Sequence, residues 1–266
     1  MLIFLTVLCS HNIFAEDILN SDNRFDCVIR PSLFVELSSQ VRGVLESVEV
    51  ERGDLVEKDQ LIAKLMSGVE TASVRLARAR AEMRIDIETR TAEKALRKRS
   101  FKQVEKLYKK ELASLREYDD AKTLSTISHH ELRKAIELMH LAELELARTE
   151  ETLSLRHIKS PISGVVVERL KSPGEFIEEQ AVVKIAQINP LHVETIVSED
   201  QFNRIKVGMK VKVYTMTQDQ MVYDAHVTIV DPIIDAMSGT FGVRLELANP
   251  ERKIPVGLRC EVSFDL

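Results

Sequence analysis

Along residues 69–160 the apolar positions recur in steps of three and four. Leu132, Ala135, Met139, Ala142, Leu146, Thr149 and Leu153 fall on one face of a helix, the seam spacing of a coiled coil. No Gly or Pro interrupts the 92 residues between Gly68 and Pro161, and the segment is rich in Ala, Leu, Glu, Lys and Arg, the strongest helix formers. One straight helix of that length would reach about 138 Å at about 1.5 Å per residue, so a break is expected. The stretch ELASLREYDDA supplies it, because Ser114 is a good N-cap and Glu117 stands three residues on, the spacing of a capping box. The pattern therefore predicts two antiparallel helices of about 40 residues, each roughly 60 Å long, with their tip near Leu112–Leu115.

The flanks of this segment are β-like and repeat each other. VRGVLESVEVERGDLVEKDQLIAKL from Val41 aligns without a gap on ISGVVVERLKSPGEFIEEQAVVKIA from Ile162 at a constant offset of 121. Gly43 meets Gly164, Gly53 meets Gly174, Val56 meets Ile177, and Leu61-Ile62 meet Val182-Val183. Each copy reads as strand, turn at Gly, strand. Beyond Asn189 the pattern becomes short apolar alternations: LHVETIV, VKVYTM, AHVTIV, GVRLEL and LRCEVSF. Val211 and Val213, and again Val227 and Ile229, alternate as strand faces do. Five or six short strands of this kind predict a small antiparallel barrel, to which FDCVIR, ahead of Pro31, contributes an early strand.

Composition and charge then narrow the function. The 266 residues are 44% hydrophobic with 5% aromatics and no Trp, and the net charge is −5, which argues against a basic nucleic-acid binder. That average hides an asymmetry: residues 69–112 carry 13 Lys+Arg against 7 Asp+Glu, with Arg97, Lys98, Arg99, Lys102, Lys106, Lys109 and Lys110 gathered toward the C-terminal end. Cations there either complement the negative end of the helix dipole or present an electropositive tip to an acidic partner. Residues 1–15, MLIFLTVLCSHNIFA, carry no charged side chain and are too short to span a bilayer, so they read as an export signal or as a buried strand. Export would remove Cys9 and leave Cys27 and Cys260, either a disulfide or two unrelated buried thiols. No nucleophile elbow, phosphate-binding glycine loop or metal-ligand spacing is present, and no cofactor is expected. Asp119-Asp120 reads as a solvated pair, and Met216 with Met221 as packing rather than a soft-metal site.

Two β halves split by a long helical hairpin and followed by a barrel resemble the periplasmic adaptors, or membrane fusion proteins, of bacterial tripartite efflux and secretion systems, the HlyD-like family. The resemblance rests on the two repeats just quoted and on DPIIDAMSGTFGVRLELANP with IPVGLRCEV. It implies an elongated, multi-domain α+β chain: a signal peptide at 1–15, a lipoyl/biotinyl-like domain split into 33–68 and 161–187, an inserted coiled-coil hairpin at 69–160, and a β-barrel at 188–266 to which 24–32 adds a strand. It also implies a non-enzymatic protein of the periplasm that forms trimers or hexamers. Its partners would be an inner-membrane transporter of RND or ABC type and an outer-membrane channel. The family's channel-docking tip, an Arg, a Leu and a Ser, falls here on Gln103, Leu107 and Ser114, so the arginine is replaced. A lipoyl carrier would need a lysine in the turn that the hairpin occupies, and none occurs before Lys94 on that insertion. The competing expectation is a secreted coiled-coil scaffold or chaperone with no transporter.

Overall fold

A computed structural model describes residues 24–217 and 221–264; the proposed signal segment and Cys9 lie outside the described residues. In chain order, β1 (Arg24–Ser38), β2 (Gly43–Val48), β3 (Leu55–Val56) and β4 (Leu61–Leu65) lead into three helices, α1 (Gly68–Ala81), α2 (Ile85–Tyr108) and α3 (Leu115–Ser154). Then follow β5 (His157–Lys159), β6 (Gly164–Arg169), β7 (Phe176–Ile177) and β8 (Ala181–Ser198), and finally β9 (Lys210–Thr215), β10 (Val222–Val230), β11 (Thr240–Leu247) and β12 (Arg259–Phe264).

The sequence repeat is a structural repeat, since β6 and β7 begin and end 121 residues after β2 and β3. The halves exchange strands: β2 pairs β7 through Gly43 and Ile177, and β6 pairs β3 through Gly164 and Val56, which is the same pairing displaced by the repeat. Gly53 and Gly174, each in the turn between these strands, adopt positive φ of 96° and 89°, a conformation that a Cβ disfavours. The two halves enclose one apolar core in which Leu45, Ile62, Leu65, Ile177 and Val183 are almost wholly withdrawn from water. Neither half could bury that set alone, which is why an insertion between them is tolerated only if it returns the chain to its starting point.

The barrel is closed. Its strands run β1-β12-β9-β10-β11-β8, and β8 pairs β1 to complete the circle. The early strand expected from FDCVIR is longer than the motif, because β1 continues to Ser38 and pairs first β12 and β8 in the barrel and then β8 in the sandwich. β8 likewise spans both modules, so the boundaries at 32/33 and 187/188 fall inside paired strands. One face assignment is corrected. Val211, Val213 and Val227 point into the core, but Ile229 is 42% exposed. The ladder between β10 and β11 skips Thr228, and this bulge turns Ile229 to the outer wall.

The helical insertion also departs from two equal helices. α3 is the expected 40-residue helix, but the ascending arm divides into 14 and 24 residues around Glu82–Arg84. There the amide of Met83 bonds back three residues to Arg80, and a new helix starts after Arg84. The interruption re-phases the inner face. Val74, Ala77 and Ala81 are buried on α1, and half-buried positions resume at Ile87, Arg90, Glu93, Lys94, Arg97, Phe101, Val104 and Glu105. An unbroken helix would have carried Arg84, Glu88 and Thr91 inward instead. On α3 all seven seam positions from Leu132 to Leu153 are buried or half-buried, and every residue between them is exposed.

Candidate functional site

The far end of the hairpin is built from local rules. Ser114 stands in extended backbone before α3; its hydroxyl oxygen accepts from the Glu117 amide (3.3 Å), and the Ser114 amide donates to the Glu117 carboxylate (2.7 Å). This is the capping box expected from the sequence. The Ser114 backbone N–H, followed by its hydroxyl, holds the Glu117 carboxyl below the ordinary range. On the other arm the Leu107 carbonyl accepts from Lys110 and Leu112 (3.0 and 2.9 Å), closing the turn, with Glu111 at φ 58°. Tyr118 of α3 stacks on Tyr108 at 4.8 Å and meets Phe101 at 5.6 Å, so an aromatic cluster joins the arms just below the tip.

Of the three docking positions taken from the resemblance, Gln103 and Leu107 lie one turn apart on α2, both exposed, Leu107 by 45%. Ser114 is at the start of α3, with its hydroxyl engaged in the cap. Around them Leu112 and Leu115 are exposed by 71% and 59%. Lys109 is paired with Glu105, whereas among the described residues no ion pair reaches Lys98, Arg99, Lys102, Lys106 or Lys110. The tip is thus an apolar cap within a collar of free cations. Dipole compensation explains only those in the last turn, because it fades beyond one turn.

The base of the hairpin carries a residue that the sequence did not single out. Arg156, just after α3, donates to Glu70 of α1 and, through Nη1, to the Arg42 carbonyl at 3.0 Å. It ties the hairpin to the sandwich. The Glu70 carboxyl is held below its ordinary value by the backbone N–H of its own helix turn and by Arg156, which together outweigh burial.

In the barrel, Cys27 of β1 stands opposite Cys260 of β12 in register, with Cα atoms 4.8 Å apart and the sulfurs joined. They are one cross-strand pair in the barrel core rather than two unrelated thiols. Met221 Sδ accepts from the Tyr223 hydroxyl at 3.1 Å. Among the described residues no group of three or more His, Cys, Asp or Glu could hold a metal ion, and no helix is long and apolar enough to cross a membrane. His129 and His130 are neighbouring rings on α3, centroids 5.9 Å apart.

Comparison with known proteins agrees with this architecture. A family model described as a CzcB-like, barrel-sandwich hybrid domain matches residues 34–187, and one described as a CusB-like, beta-barrel domain matches 190–265. The cobalt-zinc-cadmium resistance protein CzcB of Cupriavidus metallidurans is 22% identical over 220 residues, covering 82% of this chain and 40% of that protein. The macrolide export protein MacA of Escherichia coli O157:H7 is 23% identical over 242 residues, covering 87% of this chain and 64% of that protein. The chain therefore spans less than two thirds of either relative. Among solved structures, MacA of Actinobacillus actinomycetemcomitans superimposes with a TM-score of 0.73 at 22% identity, covering 91% of this chain and 78% of that one. The membrane fusion protein Spr0693 of Streptococcus pneumoniae gives 0.62 at 13% identity, covering 91% and 98%.

Proposed function

From the premise that the chain belongs to the membrane fusion protein family, its barrel-sandwich and barrel models accounting for 34–187 and 190–265, we propose that it is a periplasmic adaptor. It links an inner-membrane transporter to an outer-membrane channel for efflux or secretion. The observation that carries this is the placement of the exposed, cation-ringed tip about 60 Å along α3 from the split sandwich. A mechanical spacer needs that reach and rigidity, and a carrier domain does not.

The roles divide along the chain. The hairpin, its arms wound as a coiled coil along the α3 seam, spans toward the channel, and Gln103, Leu107 and Ser114 lie at the docking end. The barrel faces the transporter, and copies of the chain assemble as a trimer or hexamer around the conduit. A Gln at position 103 removes the guanidinium that relatives would use, and the nearby Lys102, Lys106 and Arg99 supply charge without its bidentate geometry. Chain export into the periplasm and the division into 33–68, 69–160, 161–187 and 188–266 belong to the same proposal. The scaffold or chaperone alternative has no comparable support, since the barrel and the strand-exchanged sandwich have no part in gripping clients.

Leu107→Asp tests the proposal, because Leu107 is exposed and its replacement disturbs no core contact. The variant is expected to fold with an unchanged melting temperature and to abolish export-dependent growth; normal growth would contradict tip docking. Ser114→Arg is a poorer probe, since it also removes the helix cap.

A further inference from the structure

The outer wall of the barrel contains a cleft lined by side chains of four strands. Four strands bring Ile229, Arg244, Glu194 and Val28 into one row, each paired with the next in register. The adjoining row consists of Asp231, Gly242 and Ile196; the Asp231 amide donates to the Gly242 carbonyl at 2.9 Å, and Gly242 pairs Ile196. Because the middle residue of that row has no side chain, the Asp231 carboxylate lies over it, and a cavity of about 340 Å³ opens beside these residues. A Cβ at Gly242 would collide with the Asp231 carboxylate. The bulge at Thr228 contributes as well, since it turns Ile229 outward to form one apolar side, with Ile196, exposed by 68%, forming the other.

The charges of the cleft are incompletely matched. Glu194 is held from both sides, by Arg244 Nη2 at 3.0 Å and Arg30 Nε at 3.1 Å. Among the described residues the Asp231 carboxylate has no ion pair or side-chain hydrogen bond. Arg244 Nε is shielded from solvent and has no acceptor among the described residues. A buried donor left unpaired is costly, and a free carboxylate beside an apolar wall is an unused acceptor. One cleft thus presents a carboxylate without a counter-ion, two guanidinium groups that share the single carboxylate of Glu194 and so keep one net positive charge, and an exposed isoleucine on either side.

We propose that this cleft is a binding site for a small zwitterion with an aliphatic body, of the amino-acid or short-peptide class. The ligand's ammonium meets Asp231, its carboxylate meets Arg244 and Arg30, and its side chains lie against Ile196 and Ile229. The volume is at the lower end for ligand pockets, which suits a dipeptide better than a larger compound. This inference does not depend on what the hairpin tip meets.

The test uses leucyl-leucine as the probe, with N-acetyl-leucyl-leucine and leucyl-leucinamide as analogues that each lack one terminal charge. Binding to the full chain is followed by the shift of the Gly242 amide resonance. Leucyl-leucine should titrate saturably, and each analogue should bind about tenfold more weakly or worse. In Asp231→Asn the preference for leucyl-leucine over the acetylated analogue should vanish; in Arg244→Gln the preference over the amide should vanish. Thermal melts of both variants establish that they fold. No saturable shift with leucyl-leucine, or equal binding of all three compounds, would overturn the proposal, as would a cleft that takes only an uncharged internal segment of a protein partner.

Discussion

Arg156 Nη2 lies 2.6 Å from Glu70 Oε1, joining residues 86 apart in sequence at the point where the helical hairpin leaves the sandwich. Both side chains are largely withdrawn from water, so the pair is screened less than the surface ion pairs along the helices. The carboxyl of Glu70 titrates lower in the folded protein than in the unfolded chain. Its contribution is therefore fully present above the unfolded value and is lost as pH falls through and below it. The melting temperature should drop below about pH 4.5 in the native protein and less steeply in Glu70→Gln. Identical pH profiles for the two would refute this anchoring role.

The capping box gives a local prediction. Ser114→Ala removes the oxygen that accepts from the Glu117 amide and should destabilise the start of α3 by about 1 kcal/mol. Amide exchange should quicken in residues 115–118 and stay unchanged in the barrel strands. Uniform protection throughout α3 would show that packing of the tyrosine cluster, rather than the cap, holds the tip.

The repeat permits a paired test. A Cβ on Gly164 would run into the Ala186 carbonyl of the neighbouring strand, whereas at the equivalent Gly43 it would meet the guanidinium end of Arg156 at 2.7 Å. Backbone cannot yield as a flexible side chain can. Gly164→Ala should cost about 1–3 kcal/mol, the usual range for overpacking, and Gly43→Ala clearly less. Equal losses in denaturant unfolding would contradict the close strand approach at Gly164.

The pair Cys27 and Cys260 closes a loop with a sequence separation of 233 across the first and last strands of the barrel. A non-reducing digest of protein from the cell envelope should yield one peptide containing both residues. Replacing both by Ala should lower stability by about 2–4 kcal/mol. Recovery of the two peptides separately would mean that the thiols are free.

Particular residues show how far the sequence carries. The seam from Leu132 to Leu153 and the 121-residue offset were legible because both are periodic, and periodicity survives any tertiary context. The break at Glu82–Arg84 was not, since Glu, Met and Arg are all good helix formers and only the need to re-phase the apolar face against α3 interrupts them. Ile229 was assigned to the core by strict alternation, and nothing local marks the bulge at Thr228. At the tip, Gln103, Leu107 and Ser114 came from the resemblance alone, whereas the capping box of Ser114 and Glu117 was legible from their spacing and is formed. Arg156 and the row through Glu194 and Arg244 escaped because their partners come from distant strands and helices. Gly242, an isolated glycine within a strand pattern, was the one signal that could have located the cleft.

An adaptor would meet proteins of different membranes with its hairpin tip and with its barrel. Photo-crosslinking in living cells from a probe at Leu107 on the hairpin tip and, separately, from one at the exposed Ile233 beside the barrel tests it most directly. The adaptor account predicts an outer-membrane channel trapped from position 107 and an inner-membrane transporter from position 233. Trapping of the same soluble proteins from both positions would contradict it.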